Sequence, residues 1–361
     1  MNKLIYKGTI NSLSFGNVSY NLLREMYRKN ISVCFFPFGD KIDFSAFDKA
    51  DQKFTSWVNS CAQNRFNTVS KETKTLSQWH ISGSESRISS NQTLFTFYEL
   101  DQPTTIEKSI VQLQDSCVFG SSHARDVFSS VGCDNVSSVP LGFDEDFVIE
   151  ENEDFSDKIH FGIMGKFEKR KNTAKIIQNW IKKYGNNYDY QLTCCIHNPF
   201  YKEEQMSNTI ENLFGGKKYG NVNFLPRLTT NSEVNHFLNS IDIDLTGLSC
   251  AEGWNIPSFN ATALGKWSIV MNHTSHKDWA NSKNSILVEP DSKIESYDDI
   301  FFTKGTPFNQ GNINQISDEK MILAFEKAEK KAKHPNKEGI KLQKKFTYEQ
   351  TLNKLIDIIK P

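Results

Sequence analysis

The stretch from Ile241 to Gly265 constrains the fold more than any other. Ile241-Asp-Ile-Asp-Leu245 places an apolar residue at every second position, the period of a strand. Pro257 to Leu264 reads as a helix, with proline in the first turn, where no N–H is needed, and Gly265 as its stop. Between them lies the loop Ser249-Cys-Ala-Glu-Gly-Trp-Asn-Ile256. Strand, tight loop and helix in that order build an open parallel sheet, whose ligands bind beyond the carboxyl ends of the strands. The free N–H groups and positive dipole end of the helix suit an anion. Glu252 suits the hydroxyls of a sugar better than a phosphate, and Gly253 lets a ligand approach the backbone. The same Glu252 also fits a surface carboxylate steadied by the helix dipole.

The rest of the chain repeats that alternation. Strands are predicted over Lys3–Thr9, Ile31–Phe38, Thr75–Ile81, Thr93–Tyr98, Ser116–Gly120 and Val136–Pro140, with a helix over Val18–Lys29 after a loop containing Gly16 and Asn17. His80 then falls at the end of one strand and Glu99 just past another, positions that face one cleft in a parallel sheet. A hydrogen-bonded structural histidine, and a carboxylate capping the Thr104–Gln114 segment, are the plainer readings of these two. The acidic residues 150–158 read as a linker. A second series follows: strands over Ile159–Met164, Tyr188–Ile196, Val222–Leu225 and Trp267–Asn272, and helices over Thr173–Tyr184, Ser232–Ser240, Ser317–Lys333 and Tyr348–Ile359. The Lys-rich run from Lys327 to Lys345 reads as a solvated helical face. A chain of 361 residues is expected to form two domains. The expected bounds are 1–152, 158–335, and a closing segment 336–361 that crosses back to the first domain.

Charge and cysteine content exclude several classes. The net charge of −1 gives no general attraction to nucleic acid or acidic membranes. The seven cysteines are odd in number and form no Cys-x-x-Cys pair, which argues for reduced thiols, a cytoplasmic setting and no zinc site. No apolar run is long enough to span a bilayer, and the first residues carry no apolar leader segment.

The chemistry concentrates on two loops. Gly165-Lys-Phe-Glu-Lys-Arg-Lys-Asn172 sets Lys166 and Lys171 between a strand and a helix, where two point charges can neutralise a diphosphate. A basic surface loop is the alternative. The ordered pair of this loop and Glu252-Gly-Trp-Asn-Ile-Pro-Ser-Phe-Asn260 resembles the retaining GT-B glycosyltransferases often called family 4. The first loop is similar to that family's Gly-Arg-x4-Lys-Asn, and the second to its Glu-Gly-Phe-Gly-Leu-Pro-x-x-Glu. Val222-Asn-Phe-Leu-Pro226 resembles the strand and turn bordering the nucleobase. Val118-Phe-Gly-Ser-Ser122, Val139-Pro-Leu-Gly-Phe-Asp144 and Phe346-Thr-Tyr-Glu349 match more loosely.

The resemblance implies an α/β chain with the GT-B fold, two Rossmann-like domains facing each other across a cleft. It implies a retaining hexosyl- or pentosyltransferase that takes a nucleotide-diphosphate sugar as substrate, needs no cofactor or metal, and glycosylates a glycan or glycoconjugate. By the same resemblance Lys166 and Lys171 hold the diphosphate and Glu252 binds donor-sugar hydroxyls. Gly165, Gly253, Trp254, Asn255 and Ile256 line the donor, Pro226 borders the base, Asn260 faces the ribose, and Gly16 and Asn17 face the sugar and phosphates. His80 joins the catalytic set and, with Glu99, contacts the acceptor. Asn260 stands where the family has a second Glu, Lys166 where Arg is commoner, and Asn255 where Gly is usual. Asp242-Ile-Asp244 reads as alternating strand residues and Asp144-Glu-Asp146 as a turn, so neither is taken as a metal motif. A modified DNA base or a protein as acceptor, a non-catalytic GT-B protein that binds nucleotide sugars or glycans, and a nucleotide-sugar epimerase are the alternatives.

Overall fold

A computed structural model describes residues 3–39, 41–67, 69–151 and 157–361. Two six-stranded parallel sheets organise the chain. The first contains β1 (Leu4–Gly8), β2 (Val33–Pro37), β3 (Thr75–Gln78), β4 (Gln92–Thr96), β5 (Ser116–Phe119) and β6 (Val136–Ser138), in the order β2-β1-β3-β4-β5-β6. The second contains β7 (Ile159–Met164), β8 (Tyr190–Cys195), β9 (Val222–Phe224), β10 (Ile243–Asp244), β11 (Trp267–Met271) and β12 (Ser285–Val288), in the order β12-β11-β10-β7-β8-β9. An antiparallel hairpin, β13 (Ser292–Glu295) with β14 (Asn312–Gln315), stands apart from both.

Helices connect the strands, as parallel pairing requires. Those of the first half are α1 (Ser14–Arg28), α2 (Gln52–Gln63), α3 (Thr105–Leu113) and α4 (Ser122–Ser130). Those of the second are α5 (Thr173–Tyr184), α6 (Glu203–Phe214), α7 (Asn231–Ser240), α8 (Ile256–Ala263), α9 (His276–Trp279) and α10 (Asp318–Glu329), then the short α11 (Lys337–Ile340) and α12 (Leu342–Lys345), and finally α13 (Tyr348–Ile359). Their starts are chemically marked. Thr104 and Thr230 form capping boxes with Glu107 and Glu233, and Asp51, Ser121, Ser317 and Thr347 accept from first-turn N–H groups. The central strands are apolar and buried on both faces, as in β1, where every residue is buried.

Several expectations change. The first helix begins at Ser14, so Gly16 and Asn17 lie inside it rather than in a loop. The Lys-rich run is not one helical face. α10 stops at Glu329 and Pro335 separates it from α11, while Lys331 lies over the Trp267 ring and Lys333 pairs with Asp242. Residues 152–156 of the expected linker lie outside the described residues. Asp144-Glu-Asp146 is a turn, as expected, but Arg24 of α1 holds both aspartates, at 3.0 and 2.6 Å, in the interior. Six of the seven cysteines are buried and all are free thiols.

Candidate functional site

The two sheets present the carboxyl ends of their strands to one cleft, a cavity of about 590 Å³. One wall comes from the first sheet: Phe15 at the start of α1, Trp79 and His80 after β3, and Phe97, Tyr98 and Glu99 after β4. The other comes from the second: Lys166, Glu168, Arg170 and Lys171 after β7, and Glu252 to Pro257 ahead of α8. The segment between β13 and β14 adds Phe301, Phe302, Phe308 and Asn309. His80 and Glu99, singled out by their strand-end positions, do share this cleft with Glu252 and the basic loop.

Glu252 is the electrostatic centre. It is 5% exposed, and its carboxylate accepts from Lys171 Nζ at 2.5 Å, Ser249 Oγ at 2.6 Å and an Arg170 guanidinium nitrogen at 3.2 Å. Burial pushes the carboxyl pKa up, but Lys171 and Arg170 outweigh it and hold the group at about 2. Glu252 is thus anionic at neutral pH, with fixed orientation. The reading of it as a surface carboxylate is set aside by these contacts.

Arg170 is a residue the sequence did not disclose. The short turn Lys169–Lys171 rotates it inward, where it donates to Glu168 at 2.8 Å and to the Ala251 carbonyl at 2.7 Å and approaches Glu99 at 3.6 Å. It therefore ties the loop after β7, the Glu252 loop and the first sheet's wall into one network. Glu99 does not cap α3, since Thr104 and Glu107 do so; burial raises its pKa, and Arg170 opposes the rise. Lys166 takes a different environment, with its ammonium 5.1 Å from the Phe200 ring centre and 5.0 Å from that of Phe301. Burial lowers its pKa. His80 keeps its ring open to the cleft, yet the surrounding walls and the nearby Lys166 ammonium push its pKa down to about 4, leaving a neutral imidazole.

The remaining expected residues divide. Asn255 has φ 68°, a left-handed conformation that asparagine tolerates far better than most residues, so it serves where the resembled family has glycine. Its amide donates to the Thr246 carbonyl and lies 2.9 Å from His276 Nε2. Trp254 is 3% exposed and packs against Phe259 and Phe346 at the edge of the cleft. Gly165 has φ 144° at the turn out of β7. Gly253 lines the cleft, and a Cβ there would sit 2.8 Å from Phe97 Cβ, so its absence also lets the other wall approach. Gly16 is buried against the Asn11 backbone, 2.3 Å from where its Cβ would be, and does not line the cleft. Pro226 is exposed and lines neither this cavity nor its neighbour.

That neighbour, of about 180 Å³, meets the cleft at Ser14, Ile256 and Pro257 and contains Asn17, Met164, Leu228 and Asn260. Asn260 lines it from the first turns of α8, and among the described residues its side-chain amide has no hydrogen-bond partner. No group of three or more His, Cys, Asp or Glu side chains placed to hold a metal ion occurs among the described residues.

No family model matches the sequence, and no curated protein does. Solved structures do. Sucrose-phosphate synthase from Thermosynechococcus elongatus superposes with a TM-score of 0.70 at 10% identity, over 100% of this chain and 98% of that one. Anabaena Alr3699/HepE in complex with UDP gives 0.67 at 10% identity over 100% of both chains. The lipopolysaccharide outer core galactosyltransferase WaaB gives 0.62 at 15% identity over 99% of both. At such identities the likeness is one of fold, and with the paired parallel sheets across a cleft it shows that this chain has the GT-B fold of two Rossmann-like domains.

Proposed function

We propose that the chain is a glycosyltransferase that moves a sugar from a nucleotide-diphosphate sugar to a hydroxyl of a glycan or glycoconjugate, with retention of configuration and without a metal ion. One observation carries this reading: the anionic Glu252 and the cations Lys166, Arg170 and Lys171 meet in one cleft at the N-terminus of α8. A nucleotide sugar laid across that helix start would have its diphosphate beside Lys166, Lys171 and the free amides, and its sugar hydroxyls on Glu252. Asn260 and Asn17, in the adjoining cavity, then serve the ribose and its surroundings. Gly165, Gly253, Trp254, Asn255 and Ile256 contribute backbone and walls; Gly16 and Pro226 have no direct part. The Anabaena protein of similar fold is in complex with UDP, which supports a nucleotide as ligand.

The chemistry follows from where charge develops. As the sugar–oxygen bond breaks, negative charge grows on the diphosphate, and fixed cations and helix amides stabilise it more than they stabilise the ground state. Lys171 is tied to Glu252; with donor bound it would bridge carboxylate and phosphate. No side chain in the cleft stands out as a covalent nucleophile. A front-face path, in which the leaving diphosphate accepts the acceptor's proton, fits this arrangement. His80, neutral at physiological pH, and Glu99 orient the acceptor hydroxyl. No helix is long and apolar enough to cross a membrane among the described residues; a cytoplasmic setting rests on the reduced cysteines alone.

The test is a screen of nucleotide sugars for binding and for hydrolysis without acceptor, with and without EDTA, for the native protein, Lys166→Ala and Lys171→Ala. Each variant is expected to lose roughly 2.7–4 kcal/mol of transition-state stabilisation and to weaken nucleoside-diphosphate binding. Binding without hydrolysis or transfer would make the chain a non-catalytic GT-B protein, and unchanged diphosphate affinity in both variants would remove the loop from the site.

A further inference from the structure

The cleft is electrically lopsided. All its lysine and arginine side chains, Lys166, Arg170 and Lys171, stand on the second domain's wall. Among the described residues the opposite wall and the β13–β14 segment supply none. They supply the carboxylates of Glu99 and Glu107 and a run of rings: Phe15, Trp79, His80, Phe97, Phe301, Phe302 and Phe308. The rings are organised. Phe15 lies 4.2 Å from His80, 4.9 Å from Phe97 and 5.7 Å from Trp79, centre to centre, and Trp79 is itself stacked on Phe38 at 4.4 Å. Glu107 is spent on structure, accepting from the N–H groups of Thr104 and Asn309. Among the described residues Glu99 is the one carboxylate of that wall whose side chain keeps partial exposure, 25%, beside the rings.

We infer that the acceptor end of this cleft takes an uncharged sugar and discriminates against sugar phosphates and uronic acids. This deepens the glycosyltransferase reading and rests on it. A neutral sugar offers two kinds of surface, an apolar C–H face and a rim of hydroxyls. The ring wall matches the first, and Glu99 with the imidazole of His80 matches the second, the carboxylate accepting from hydroxyls in charge-assisted bonds. A phosphate or carboxylate on the acceptor would leave water for a wall that holds Glu99 and supplies no cation of its own among the described residues, the ammonium nearest its rings being that of Lys166, which faces His80 and Phe301 from the second domain. A buried charge without a partner is strongly disfavoured. The three cations opposite do not relieve this, since Glu252, Glu168 and Glu99 already pair with Arg170 and Lys171, and a bound diphosphate occupies what remains.

The experiment begins with the nucleotide-sugar screen on the full chain. If no nucleotide sugar binds or is hydrolysed, the glycosyltransferase reading fails and this inference falls with it. With a working donor, transfer is measured to methyl glycosides of the common hexoses, to the matching hexose 6-phosphates and to the matching uronic acids. Uncharged glycosides are expected to show kcat/KM about tenfold or more above their anionic counterparts, the effect of one unfavourable charge contact. Glu99→Gln should narrow that ratio by raising the use of the 6-phosphates. Trp79→Ala should raise KM for the neutral glycoside at unchanged nucleoside-diphosphate affinity, and Trp79→Phe should restore it, which separates stacking from misfolding. Equal or better use of the 6-phosphates or uronic acids overturns the inference. So does a donor that is hydrolysed while none of the uncharged glycosides is glycosylated.

Discussion

At the scale of residues, Glu252 shows how function and stability share one group. Its carboxyl is held at about 2 against an ordinary value of 4.5, so the native state gains stability once the group is ionised. A depressed carboxyl pKa contributes fully above the unfolded value and is lost as pH falls through the folded one. The contribution is on the order of 3 kcal/mol at most, disappearing between about pH 4.5 and pH 2. Glu252→Gln should therefore cut turnover roughly tenfold to over a hundredfold, lower stability at pH 7, and flatten this part of the acid limb. Urea unfolding of both proteins from pH 7 to pH 2 checks it; parallel curves would mean that the Lys171 and Arg170 contacts do not act on folding. Asn260 is the second case. A glutamate there can accept in charge-assisted bonds, where the asparagine amide offers one neutral acceptor oxygen. Its unpartnered amide in the smaller cavity leads to the expectation that Asn260→Glu tightens nucleotide-sugar binding by about 1–2 kcal/mol and Asn260→Ala weakens it. Calorimetric affinities that are alike for all three would take Asn260 out of the nucleotide site.

At the scale of elements, the β13–β14 hairpin and the segment between its strands act as a strap from the second domain to the first. Asp101, just past β4, accepts from Lys293 Nζ at 2.7 Å and from the Asn312 N–H at 2.8 Å, and the Thr104 hydroxyl donates to the Pro307 carbonyl. Asp101→Ala should cost about 1–3 kcal/mol and increase proteolytic cutting within residues 296–311; an unaltered digestion pattern would show that other contacts hold the strap. The sequence disclosed none of this. β13 is exposed, β14 buries only Ile313, and both are short and pair with each other, so no apolar period marks them. Where two periods were strong the reading was close. Ile159–Met164, Thr173–Tyr184 and Tyr348–Ile359 carry the expected bounds. α2 was missed because its buried stripe is only Phe54, Val58 and Ala62, one residue per turn among polar neighbours. In the site, Glu252, Lys166, Lys171, His80 and Glu99 were legible because strand ends converge in a parallel sheet. Arg170 was hidden because a single turn decides whether it faces water or Glu252, and the packing of Phe97 on Gly253 was hidden because Phe97 comes from the other domain.

At the scale of the whole molecule, the chain closes on itself. α13 lies against α1, with Lys29 paired to Glu349, and Thr351 donates to the Pro140 carbonyl. Just ahead of it the Phe143 N–H donates to the Phe346 carbonyl. Phe346 in turn packs on Trp254 and Phe259 beside the cleft, so the last helix joins the first domain's core to the floor under the Glu252 loop. Gly142 is the point on which this closure turns. A Cβ there would sit 2.1 Å from the Tyr348 nitrogen and 2.4 Å from the Thr347 carbonyl carbon, both backbone atoms that cannot rotate away. Gly142→Ala must therefore displace the start of α13, at a cost of about 3 kcal/mol, the upper end of overpacking. The displacement would uncover Leu352 and Leu355, both fully buried, and loosen the support of Trp254. Hydrogen exchange should then rise first in α13 and α1, next at residues 252–257, and least in β7 and β8 of the second sheet. Donor affinity should fall with it although no residue that faces the cleft has changed. Native protection in α13, or a protection loss centred on the second sheet, would show that the closing helix does not support the site.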